Sequence, residues 1–223
     1  MKNKTKKILL LAIGLTSTMS FASLAEEVQS PISGSITIAN DYIWRGLAQH
    51  VDSASNYEKE VTISGGLDYD FNNGFALGVW GSNVSFKDAN GKDASIEMDL
   101  YASYAMSYKQ VDYEVGYISY QYLNATAANF EEVYVGTSYK GFGLTQYKGI
   151  DGASDNLELS YNLELSGIDT TLVYGDYKDS NKYHSITLAK SMGELDYAIV
   201  WNKSKPTEGD SESHIVFSIG KSF

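Results

Sequence analysis

Past residue 33 the chain alternates apolar and polar positions almost to its end, which is the period of a pleated strand with one nonpolar face. The clearest run sets Leu157, Leu159, Tyr161, Leu163 and Leu165 against Glu158, Ser160, Asn162 and Glu164. A second sets Val61, Ile63, Leu67, Tyr69 and Phe71 against Glu60, Thr62, Ser64, Asp68 and Asp70. A third sets Ile96, Met98, Leu100, Ala102 and Tyr104 against Glu97, Asp99, Tyr101 and Ser103. The pattern predicts twelve strands, at about 34–45, 58–71, 74–86, 94–108, 110–122, 130–140, 142–148, 155–166, 168–178, 182–191, 194–203 and 212–223.

The connections between these strands alternate in length. Tight turns are expected at Asn72-Asn73-Gly74, Lys109, Gly141, Gly167 and Met192-Gly193. Longer polar links fall between them, at about 46–57, 87–93, 123–129, 149–154, 179–181 and 204–211. This is the signature of an all-β, up-and-down antiparallel barrel with one short-turn rim and one long-loop rim, both termini lying at the short-turn rim. A soluble sandwich alternates in the same way, with its apolar face buried against a second sheet. Four features favour a transmembrane barrel: strands near the length a tilted membrane strand needs, an even strand number, the rim asymmetry, and aromatics near strand ends. Tyr42, Trp44, Phe71, Tyr104, Tyr161, Trp201 and Phe223 are the candidates for membrane-interface girdles. The last strand, with Ile215, Phe217, Ile219 and Phe223 on one face, closes on phenylalanine, the ending that barrel assembly machinery reads; Lys221 interrupts that face.

Composition adds the compartment. Lys2, Lys4, Lys6 and Lys7 precede the apolar run Ile8 to Leu15, and Ser23-Leu24-Ala25 places small residues where a signal peptidase cuts. The expected organisation is a signal peptide over 1–25 and a barrel over 26–223, exported to the bacterial outer membrane. Removing the four leader lysines leaves 13 basic against 28 acidic residues, so the formal charge moves from -11 to -15. Such a surface does not suit nucleic acid and favours cationic guests. The chain has no cysteine, so its stability has to come from a large closed sheet rather than from disulfides.

The pieces NDYIWRGLAQ (40–49), GFALGVWGSNV (74–84), EMDLYASY (97–104), YEVGYISYQYL (113–123), NFEEVYVGTSYKGF (129–142) and HIVFSIGKSF (214–223) resemble the TorF porin family, in the same order. The match is most specific in the first three pieces. The resemblance implies an outer-membrane β-barrel that acts as a channel.

If the apolar face meets lipid, the polar face lines a lumen. Its candidate pore-lining residues are Asp41, Arg45, Glu60, Asp68, Asp70, Glu97, Asp99, Glu114, Glu132, Glu158, Glu164 and Asp196. Carboxylates dominate, and rings of carboxylates favour cations in a pore. The expected function is passive diffusion of small hydrophilic solutes, cationic or neutral. The alternative is a non-conducting structural or surface-interaction barrel, whose lumen these groups fill together with Trp80, Tyr101 and Tyr120 as a polar plug. Catalysis is not expected. Carboxylates at i and i+2 simply share a strand face, and no G-x-S-x-G surrounds a serine. His50, His184 and His214 are the only histidines, and with no cysteine beside them they suggest neither a metal site nor another cofactor. Lys87, Lys92, Lys182, Lys203 and Lys205 fall at the long-loop rim, where lipopolysaccharide phosphates lie. The expected partners are outer-membrane lipids and lipopolysaccharide, the assembly machinery during biogenesis, and small solutes. Arg45, the only arginine, is expected on the lumenal face of the first strand, four residues above Asp41 and among carboxylates, with Trp44 on the opposite, lipid face.

Overall fold

The structure, a computed structural model, describes residues 30–52 and 56–223. The expected leader at 1–25 lies outside the described residues. Twelve strands close one barrel: β1 Ile32–Ala39, β4 Thr62–Asp70, β5 Phe75–Lys87, β6 Asp93–Tyr108, β7 Val111–Tyr122, β8 Phe130–Tyr139, β9 Phe142–Ile150, β10 Asn156–Leu165, β11 Ile168–Tyr177, β12 Asn181–Met192, β13 Leu195–Pro206 and β14 Glu212–Ser222. Each pairs antiparallel with its neighbour along the chain, and β1 completes the ring between β4 and β14. Two further short strands, β2 Ile43–Trp44 and β3 Leu47–Ala48, pair only with each other.

The side-chain faces separate a membrane barrel from a soluble sandwich. Along β1, Ile36 and Ile38 are 53% and 54% exposed while Thr37 between them is buried. Along β4, Ile63 and Leu67 are exposed and Thr62 and Ser64 are buried. The same inversion recurs around the ring, with Leu100, Val135, Leu159, Leu172, Leu188, Ile199 and Phe217 all pointing out. A band of this extent is unfavourable in water, at about 25 cal/mol for each Å² of apolar surface, and stable in hydrocarbon. Ring closure supplies the second requirement of that solvent, since no strand edge is left with unpaired backbone groups.

The short-turn rim is built from local chemistry. Lys109-Gln110, Lys140-Gly141 and Ser166-Gly167 are two-residue loops with positive φ at both positions, the type I′ geometry that matches the twist of the flanking strands. On the outward side of that rim Phe75 packs on Tyr104 and Phe142 on Tyr161, with Phe71 and Phe223 exposed beside them. Trp201 faces outward near His184, closer to the other rim.

The strand boundaries lie within a few residues of the sequence expectation, with one consequential exception. The first strand does not run to residue 45. It ends at Ala39, and residues 40–48 leave the wall; Glu60, expected in the second strand, precedes β4 and is exposed.

Candidate functional site: a hairpin across the lumen

The departure from the wall begins with Asn40, whose side-chain carbonyl accepts the N–H of Phe217 at 2.7 Å while its own N–H donates to the Phe217 carbonyl at 3.1 Å. Asp41 is fully buried, accepts the N–H of Tyr42 at 2.8 Å, and takes the hydroxyl of Tyr57 at 2.5 Å, which ties the outgoing limb to the returning one. Ile43 then pairs with Ala48 and Trp44 with Leu47, and the N–H of Gln49 donates to the Tyr42 carbonyl at 2.9 Å. The two residues at the tip, Arg45 and Gly46, have φ of +47° and +78°, another type I′ turn. A non-glycine residue held there costs about 1–2 kcal/mol, so the surroundings have to hold it.

They do so through the guanidinium. Arg45 is completely buried, and its Nη1 and Nη2 donate to Oε1 and Oε2 of Glu132 on β8 at 2.6 and 2.7 Å, a fork-on-fork pair. The Tyr120 hydroxyl donates to the same carboxylate at 3.2 Å. The guanidinium carbon lies 4.4, 4.5 and 5.2 Å from the ring centres of Trp44, Tyr147 and Tyr177. The Asn181 side-chain amide donates to the Arg45 carbonyl at 2.8 Å. In the amide orientation that satisfies both of its ends, Asn156 accepts the Arg45 Nε–H at 3.3 Å. Gly46 lies so close to the wall that a Cβ there would stand 2.7 Å from Tyr183 Cβ and 2.8 Å from Ser204 Cβ. The hairpin hangs between β1 and β4, which are adjacent, whereas β8 to β12 form the far side of the twelve-strand ring. The hairpin is therefore a strut across the lumen. Its base is apolar: Tyr42 and Ile43 share one buried cluster with Ala39, Trp80, Val84, Val200 and Val216.

This corrects two expectations. Trp44 is not in an outer girdle; its ring packs inside the barrel on Tyr120, Phe130 and Tyr177. Tyr42 is likewise inside, edge-on to Trp80 at 5.7 Å. Alternation placed both on the lipid face because it assumes that the strand continues. Once the chain leaves the ladder at Asn40, parity no longer reports a face.

Of the other predicted lumenal residues, Glu97, Glu114, Glu158 and Asp196 are buried within the barrel, and Asp68 and Asp99 are partly so. Asp70 and Glu164 are exposed near the short-turn rim. Most of the buried carboxylates meet an inward tyrosine. Tyr122 donates to Glu97 at 2.8 Å, Tyr134 to Glu114 at 2.5 Å, Tyr101 to Asp68 at 2.6 Å, and Tyr183 to Glu158 at 2.8 Å. Two of these pairs share one construction: Asp68, Gly78 and Tyr101 stand in a row across β4, β5 and β6, and Glu158, Gly175 and Tyr183 across β10, β11 and β12. The tyrosine ring lies over the glycine to reach the acid two strands away. Tyr122, Tyr134, Tyr147, Tyr177 and Tyr183 are site residues beyond the expected lumenal set. Parity could have found them, since each shares a strand face with the polar set.

Asp88 joins two connections at the long-loop rim. Its Oδ1 accepts the N–H groups of Asn90 and Lys92 at 2.9 and 2.8 Å, and its Oδ2 that of Ala127 at 3.3 Å. The Lys92 N–H above all, then those of Asn90 and Ala127, hold this carboxyl below the usual carboxylate range against a smaller opposing effect of burial. A carboxyl lowered in the folded state stabilises it above the unfolded pKa and loses that contribution as pH falls through the folded value. Hydrogen-exchange protection of the Ala127 and Lys92 amides should therefore hold at neutral pH and be lost only as pH falls below the usual carboxylate range. Replacing Asp88 with alanine should abolish that pH dependence, and equal protection in the variant would refute the tie.

A closed antiparallel barrel with an apolar exterior, a polar interior and a hairpin across its lumen defines the class: a transmembrane β-barrel of the outer-membrane type. Residues 25–205 match the family described as "Bacterial protein of unknown function (Gcw_chp)", and the chain belongs to that family. Among solved structures it is similar to the KdgM porin, with a TM-score of 0.52 at 10% identity over 86% of this chain and 97% of that one. It is also similar to a structure described as "Unveiling the Mechanism Behind the in-meso Crystallization of Membrane Proteins", with a TM-score of 0.51 at 8% identity over 86% of this chain and 83% of that one. At these identities the likeness is one of fold. A comparison with curated proteins found no match.

Proposed function

We propose that the protein is an outer-membrane channel for passive diffusion of small hydrophilic solutes, cationic or neutral, in which the 40–48 segment narrows the lumen and lumenal carboxylates set the charge preference. The observation that carries this reading is the nature of the obstruction. It is a hairpin from a single connection, held at its tip by the surroundings of one arginine, rather than a set of wall strands packed face to face. The wall itself is a complete ring without the hairpin. The excess of buried carboxylates over the single buried arginine supports a bias toward cations. The resemblance to the TorF porin family and the fold shared with the KdgM porin support the same reading.

A non-conducting barrel is the second reading, favoured by how completely Arg45 and Glu132 are buried. Planar bilayers separate the two. The intact protein is expected to give small, discrete, cation-biased conductance steps, and a variant in which a Gly-Gly link replaces residues 43–48 is expected to conduct several-fold more. Silence from both, with a barrel that still shifts on gels when heated, would leave only the non-conducting reading.

A further inference from the structure

The lumen contains a second place with carboxylates and aromatic rings like those of the Arg45 pocket and, among the described residues, no basic side chain paired with it. Glu97 and Asp99 stand at i and i+2 on β6, so both project from one face. Asp99 is directly opposite Trp80 on β5 and Tyr120 on β7; Glu97 is directly opposite Ser82 and Tyr122. Trp80, Tyr120 and Tyr122 are all buried, and Tyr42 of the hairpin base packs edge-on to Trp80. Glu97 is 1% exposed; its Oε1 accepts the Tyr122 hydroxyl and the Tyr42 hydroxyl stands near the same carboxyl, while Oε2 makes no hydrogen bond of good geometry. Asp99 Oδ1 is also buried without one. Two acidic oxygens withdrawn from water and left without a partner are costly, at about 1–3 kcal/mol each even before charge is counted. Neighbouring like charges add to that cost.

The structure itself shows which ligand suits such a setting. Beside this pair, Glu132 with the rings of Trp44, Tyr147 and Tyr177 holds the Arg45 guanidinium. That is a delocalised, weakly hydrated cation held by carboxylate on one side and aromatic faces on the other. A divalent metal fits less well, since among the described residues no group of three or more acidic, histidine or cysteine side chains could hold one. We infer that Glu97 and Asp99, walled by Trp80, Tyr120, Tyr122 and Tyr42, form a lumenal binding site for a small guanidinium-type cation. The site rests on the channel reading for its purpose, as a station for cationic solutes in transit, but not for its existence.

Trp80 beside Asp99 provides a reporter. The full-length barrel in zwitterionic micelles at pH 8 is titrated with millimolar methylguanidinium chloride exchanged for sodium chloride at constant ionic strength, and tryptophan fluorescence is followed. A saturable change is expected, with at least a tenfold loss of affinity in the E97Q/D99N double variant and no saturable signal in W80F. Should the double variant fold poorly, D99N alone serves as the comparison. No saturable change in the intact protein overturns the site and assigns the pair to a shared proton. A change that survives both carboxamide substitutions overturns it as well. Bilayer recordings keep the two readings apart: binding without conductance removes the channel and leaves the site, and conductance without binding does the reverse.

Discussion

Replacing Glu132 with alanine is expected to unseat the hairpin and expose the chain to cleavage at its only arginine. In the intact protein Arg45 has no exposed surface, so an arginine-specific protease cannot reach the bond to Gly46. The substitution leaves a guanidinium buried among Trp44, Tyr147 and Tyr177 with no carboxylate to balance it. Losing one member of a buried pair costs roughly 3–5 kcal/mol, and here the chain has a way to escape the cost, by withdrawing the tip toward water. The strain of Arg45 at positive φ is relieved by the same movement. Cleavage at 45–46 should therefore accelerate roughly 150- to 4000-fold, the factor that corresponds to that loss where opening is fast relative to cleavage. The ring of strands should persist, because no ladder hydrogen bond is touched. Gel mobility without heating checks that the barrel remains folded, and mass spectrometry of the 46–223 fragment gives the rate. An unchanged rate in a folded Glu132→Ala barrel would mean that the strut is held by its apolar base and not by its tip.

The second large effect is expected at Gly175, where one added methyl group meets the buried, hydrogen-bonded ring of Tyr183. A Cβ there would lie 2.0 Å from Tyr183 Cζ and 2.4 Å from its hydroxyl. Tyr183 cannot step aside cheaply. It is 1% exposed, its hydroxyl donates to Glu158 at 2.8 Å, and its Cβ forms part of the wall against Gly46. Gly175→Ala should cost about 2–4 kcal/mol, combining overpacking with the loss of a charge-assisted hydrogen bond. Chemical unfolding in micelles measures it. The double variant G175A/Y183A should be more stable than the sum of the two single losses implies, since deleting the ring removes the clash. Strict additivity would show that the ring and the glycine do not interact as their positions require. Gly78 under Tyr101 is built in the same way, and an alanine there should behave alike.

How much of this was legible beforehand follows from the range of each interaction. The twelve wall strands could be read because period-two alternation is local and because lipid outside and polar groups inside impose it on every strand. Even the exceptions to alternation carried information. In β13 the run Tyr197, Ala198, Ile199, Val200 and Trp201 is apolar on both faces, and Val216 on β14 stands directly opposite Val200. Val200 and Val216 belong to the buried cluster that receives Tyr42 and Ile43. An apolar patch on an otherwise polar lumenal face marks where something inserts, though not what. The Arg45 pairing was legible in kind, as an arginine among carboxylates, but its partner was not. Asp41 is the carboxylate nearest in sequence, yet it serves Tyr57 and the Tyr42 backbone.

The sequence by itself determined the strand pattern, the alternation of short and long connections, the lipid-facing and lumenal sides of the wall, and the acidic character of the interior. Each of these depends on residues a few positions apart, or on a solvent that acts on every strand alike. Only the tertiary structure decided that residues 40–48 turn inward and that Trp44 and Tyr42 face the lumen. It alone brought Arg45 to Glu132, 87 positions away, and left Glu97 and Asp99 among aromatic rings with no basic side chain paired with them among the described residues. Those outcomes depend on which side chains face one another across a closed ring. That arrangement is absent until the barrel closes, and no local period encodes it.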